Sequence, residues 1–208
     1  MTDDAETLAC LALADFYDEQ PTMDKITTFS EYSKHAASTQ LDSCKNAEYL
    51  CYGLMSEVGE LCGLFQKARR GDFNLTDKLD DFRKEIGDCF WNVDRYVNFT
   101  FDGSDISYVT AFDNLDPFQL RFGVCDVDPS KPMNDLIDAA SKLHTWALEY
   151  NGSASPRDLH SLTLSIVRSL VRLSSSLDLS ISDILTTNAQ KLADRKARGV
   201  IQGNGDNR

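Results

Sequence analysis

The stretch "YLCYGLMSEVGELCGLFQKARRGDF", residues 49–73, is a leucine stripe with a carboxylate set into it. Leu50 and Leu54 lie seven and three positions before Glu57, and Leu61 and Leu64 lie four and seven after it. At 3.6 residues per turn these five positions share one face. The period predicts a helix over residues 47–69, stopped at Gly71. A carboxylate on an apolar face costs free energy unless something neutralises it. A second acid, Glu60, follows three residues later.

The next stretch repeats the arrangement. Residues 77–97 carry Leu79, Phe82, Ile86, Phe90, Val93 and Val97 on one stripe, which predicts another helix. Glu85 and Asp88 border that stripe, again three residues apart. The short turn between the two helices makes them antiparallel neighbours. If their stripes face each other, four carboxylates converge. Such a cluster repels itself and resists desolvation. The group that relieves it is a hard divalent cation with oxygen ligands, Mg2+ or Mn2+; Mg2+ keeps waters and completes its shell with substrate phosphates.

Most of the remaining chain also reads as helix, so the fold class is all-α. Residues 5–17 form an apolar helix candidate. "TFSEYSKHAAST" follows, with Thr28 as N-cap and Glu31 at capping-box spacing. Residues 98–132 hold three of the five prolines and read as an aromatic-rich loop with room for a short strand. Helical patterns return over residues 133–150 and 158–178, and a last helix runs from Ser182 as N-cap to Gly199. The pair at 133–178 echoes the pair at 47–97 in length and apolar spacing but lacks its acids. One domain over residues 1–208 is expected, with a core at about 26–98 and 158–208 and an insertion at about 99–157.

Composition narrows the partners. A formal net charge of -12 repels a nucleic acid polymer, while 42% hydrophobic residues suffice for a core. No apolar run reaches the roughly 18 residues of a membrane span. Six cysteines without a CxxC pair, beside three histidines, argue against zinc and for free thiols in a reducing compartment. The first 24 residues hold seven acids and no Lys or Arg, unlike a secretory signal, so a cytoplasmic location is expected. Residues 189–208 run against the trend, with five basic residues and two acids. Asn188, Lys191 and Arg195 share one helix face there, suited to a small anion such as a triphosphate. Lys67 and Arg70 add charge at the end of the first acidic helix. Trp91 lies off the main stripe and serves either packing or stacking on a base; Trp146, Phe118 and Phe122 read as packing.

"SEVGELCGLFQKARRGD" followed by "KEIGDCFWNV" resembles the all-α nucleotide pyrophosphohydrolases of the MazG family, relatives of the dimeric dUTPases, whose hallmark is ExxE, a spacer and ExxD. "NAQKLADRKARGVIQGNGDNR" resembles the C-terminus of the short MazG-like proteins of phages and bacteria, and "FSEYSKHAAST" their first helix. The resemblance covers about residues 26–98 and 160–208. It implies a helical bundle carrying an inserted loop and an extra helix pair. It further implies Mg2+ on Glu57, Glu60, Glu85 and Asp88, and cleavage of a nucleoside triphosphate to the monophosphate and pyrophosphate. Asn188, Lys191 and Arg195 would contact the nucleotide, and the chain would form a homodimer in the cytoplasm, or in a host's cytoplasm if phage-encoded. Glu57 or Glu60 would be the catalytic base, since a leucine environment raises a carboxyl pKa. Two positions depart from the family: Ser56 stands where many relatives have Glu, and Ser33 follows Tyr32 where they often have Gln. The competing readings are a nucleotide-binding sensor without turnover and a helical interaction protein. Canonical nucleotides, damaged ones and an alarmone all fit as substrates.

Overall fold

The computed structural model describes residues 23–101, 128–149 and 156–201. Six α-helices account for most of them, with no strand among the described residues. They are α1 (Phe29–Thr39), α2 (Ala47–Arg70), α3 (Leu79–Thr100), α4 (Ser130–Glu149), α5 (Pro156–Ser176) and α6 (Ile181–Ala197). The expected helix at 5–17, the loop with Phe118 and Phe122, and the glycine-rich tail lie outside the described residues, apart from a few loop residues at either end.

The ends of the helices follow from local chemistry. Thr28 caps α1 with the reciprocal Glu31 contact that its spacing predicts. Gly71, at φ 89°, takes the left-handed turn that closes α2. Several boundaries differ from expectation, among them the end of α3 at Thr100 rather than 97 and α5 at Pro156–Ser176 rather than 158–178. A 3-10 turn (Leu75–Lys78) precedes α3, so the α-helix starts at Leu79. Helix α4 begins at Ser130 rather than 133, because Pro132 sits in the first turn, where its missing N–H has no intrahelical partner to lose. The cap of α6 is Ser180, whose hydroxyl accepts from the Asp183 amide; Ser182 instead turns inward and donates to the Ile26 carbonyl.

Helices α2, α3, α5 and α4 pack in that cyclic order. Phe65 meets Phe82, Glu57 meets Asp88 and Gly53 meets Asn92, so α2 and α3 are antiparallel. Tyr52 stacks on His144 while Arg69 reaches Ser130, so α2 and α4 are antiparallel too. Arg172 pairs with Asp135 across the α4–α5 hairpin. Every neighbour in the bundle is therefore antiparallel, whereas α3 and α4 lie diagonally and run the same way. Phe101 and Asp128 consequently stand at opposite ends of the bundle. The pair α4–α5 is thus half of the bundle rather than an appendage. One continuous core runs through it, from Leu50, Leu54 and Leu61 to Leu136, Ile166 and Leu170. Helices α1 and α6 run parallel to each other and lie against α3. No helix among the described residues is long and apolar enough to cross a membrane.

Candidate functional site

Three leucines of the α2 stripe are buried as the period requires, with Leu50, Leu54 and Leu61 at most 2% exposed, while Leu64 is half-buried. Glu57 lies on that face but only half-buried, where α2 meets α3. Glu85 and Asp88, one turn apart on α3, face it. Each of the three offers a carboxylate oxygen, and these oxygens lie within 4.8 Å of one another. Glu60 does not join them: it is exposed, one turn beyond Glu57 on the outer side of α2. Three of the four expected carboxylates therefore converge.

Two glycines permit the convergence. A Cβ on Gly53 would overlap Oδ1 of Asn92, a buried side chain whose amide is tied to the Asp88 carbonyl at 3.0 Å. A Cβ on Gly87 would stand 2.9 Å from the Asn188 Cβ. Close approach at Gly53 brings α2 onto α3 one turn from Glu57, and close approach at Gly87 brings α6 onto α3 next to Asp88.

Helix α6 supplies the counter-charge. The Lys191 ammonium donates to both Asp88 oxygens, at 2.7 and 2.6 Å, and the Asn188 amide donates to Oδ1 at 2.6 Å. The amide is itself held from behind, since the buried Tyr32 hydroxyl donates to its Oδ1 at 2.8 Å. Burial also pushes the Tyr32 hydroxyl well above its ordinary pKa, keeping it a donor. Tyr32, Asn188 and Asp88 thus form a chain across α1, α6 and α3.

Glu57 has no such partner among the described residues. Burial, then the charges of Asp88, Glu60 and Glu85, push its carboxyl up to about 8, with Lys191 opposing. The ordinary range of a glutamate is near 4.5. A carboxyl raised chiefly by burial and further by three acidic neighbours marks a site that favours an added positive charge. Cys51 and Cys89 are not candidate nucleophiles, because burial raises Cys51 to about 12 and Cys89 well above the usual thiol range.

A cavity of about 380 Å³ opens beside the carboxylates, with Glu57 and Asp88 in its wall. Its other walls include Leu41, Tyr49, Trp91, Leu192 and Arg195. Trp91 therefore faces the cavity, and its indole Nε1 is buried without a hydrogen-bond partner among the described residues. Arg195 reaches the cavity although it is only 6% exposed. Lys67 and Arg70 do not line it. They are exposed, about 15 and 20 Å farther along α2 from Glu57 by helical rise, and Arg70 pairs with Asp72.

Sequence reasoning missed Tyr32, Asn92 and the two close-approach glycines. Tyr32 does fall on the buried stripe of α1 with Phe29 and Ala36, which signals burial but not what its hydroxyl meets. No family model, no curated protein and no solved structure matches this chain.

Proposed function

We propose that the chain is a divalent-metal-dependent nucleoside triphosphate pyrophosphohydrolase of the MazG-like kind, hydrolysing the bond between the α and β phosphates. The observation that carries this reading is the convergence of Glu57, Glu85 and Asp88 on two antiparallel helices at the edge of a cavity. The donor set suits a hard cation, since it is all oxygen with no histidine or thiolate. The Glu57 carboxyl, raised first by burial and then by its acidic neighbours, points the same way, because a cation would offset both effects. Glu57, Glu85 and Asp88 would hold the metal, with the exposed Glu60 adding negative charge at the rim. When bound, Mg2+ or Mn2+ would draw charge from the phosphate oxygens and acidify a coordinated water.

The protein's own groups divide the remaining work. A Glu57 oxygen not used by the metal, or the exposed Glu60, would accept the proton of the attacking water. Asn188, locked by Tyr32, orients Asp88. Arg195 and Lys191 bring positive charge from α6 to the anionic end of the substrate. Tyr49, Trp91, Leu41 and Leu192 offer aromatic and apolar wall for a base.

The test is a panel of ribo- and deoxyribonucleoside triphosphates, with damaged bases and an alarmone included, assayed for pyrophosphate release with Mg2+ and with chelator. Metal-dependent release is expected for at least one member, and Glu57→Gln and Glu85→Gln should lower it by about 100-fold or more. Metal-dependent binding of a nonhydrolysable triphosphate without turnover by any member favours a sensor. Absence of both leaves a helical interaction protein.

A further inference from the structure

The Asp88 carboxylate is already engaged. Its Oδ1 accepts from Asn188 and Lys191, and its Oδ2 accepts from Lys191. The charge of the ammonium also acts on Glu57. An ammonium and a dication on the same carboxylate oxygens would stand within a few ångströms of each other, and like charges that close in a half-buried site repel strongly. They are alternative occupants.

Resting on the metal reading above, we infer that Lys191 is a stand-in cation: it holds Asp88 while no metal is bound, and metal entry frees its ammonium for the anionic substrate. The geometry of α6 suits the exchange. Asn188, 2% exposed and pinned by Tyr32, fixes the helix one turn before Lys191. The backbone therefore stays while the long lysine side chain moves, with four methylenes and no partner besides Asp88 for its ammonium among the described residues. Arg195, one turn farther on, lines the cavity, so the freed ammonium emerges beside a second cation. The order of binding follows: metal first, polyphosphate second. In the metal-free state the exchange group also keeps one of three clustered carboxylates neutralised.

The exchange is tested on the full chain by pulsed acylation of lysine amines, with mass spectrometry reading each lysine in chelator and in excess Mn2+. The side chain of Lys191 is 21% exposed and ion-paired without metal, so its labelling should be slow and should rise severalfold with Mn2+. Lys142, ion-paired with Asp138 on α4 and outside the cavity wall, should label equally in both. Lys191 labelling that is unchanged or slower with Mn2+ overturns the inference. In parallel, calorimetric titration of Mn2+ into wild type and Glu85→Gln separates the two levels of reading. Glu85-dependent Mn2+ binding with unchanged Lys191 labelling overturns the exchange alone, while no Glu85-dependent binding removes the metal site and the exchange together. Lys191→Gln should bind Mn2+ about tenfold more tightly, because a competing ion pair is gone. Equal or weaker binding counts against the exchange.

Discussion

Replacing Glu57 by glutamine in the metal-free protein isolates the effect of one charge, since size and hydrogen-bonding capacity are nearly kept. The Glu57 carboxyl is pushed from 4.5 to about 8. Between those values the folded protein holds a proton that the unfolded chain has released. Proton linkage then makes wild-type stability fall as pH rises through that window, with the full burden present above about 8 and none below about 4.5. Each tenfold step in proton affinity is worth about 1.4 kcal/mol, so the unscreened burden at pH 8 is about 4 kcal/mol. Glu57 is partly open to solvent, and screening reduces this to about 2 kcal/mol. For a chain of this size that amounts to about 4–8 °C in melting temperature. Scanning calorimetry in chelator at pH 5 and pH 8 should find Glu57→Gln close to wild type at pH 5 and clearly more stable at pH 8. Adding Mg2+ should reverse the ranking, because wild type gains stability by mass action while the variant loses a ligand. A variant that melts below wild type at pH 8 in chelator would refute the reasoning and make Glu57 a structural residue.

Other predictions follow from close approach and capping. Gly87→Ala should destabilise by about 1–3 kcal/mol, since the Asn188 Cβ must retreat along with its helix. Gly63→Ala, on the same bundle with nothing within 4 Å of the added carbon, should gain about 0.5–1 kcal/mol from helix propensity. Urea unfolding of the pair decides whether space or propensity sets the sign. Thr28→Ala removes the side chain that caps α1 and should cost about 1 kcal/mol in the same assay.

Residues 49–73 carried the fold class and the first half of the site by themselves. An amphipathic period and a glycine stop are local properties, and α2 and its end came out as read. The capping box at Thr28 and Glu31 is local as well. Boundaries failed where a nearby residue had two uses: Ser180 and Ser182 are both good caps by type, and only the Ile26 carbonyl above Ser182 decides between them. Glu60 was indistinguishable from Glu57 as half of an ExxE pair. A turn of about 300° over three residues leaves both on overlapping faces, and only the packing of α3 selects Glu57.

By itself, the sequence determined the helices, their apolar faces and the pairing of α2 with α3, because 3.6-residue periodicity and a short link act over few residues. The tertiary structure alone decided the rest of the site. Asn188 and Lys191 meet Asp88 across 100 and 103 residues of chain, and Tyr32 meets Asn188 across 156. Contacts at such separation are chosen by how whole helices dock, through the missing side chains of Gly53 and Gly87 and the shared core, and no local pattern encodes which polar groups that docking will bring within 3 Å.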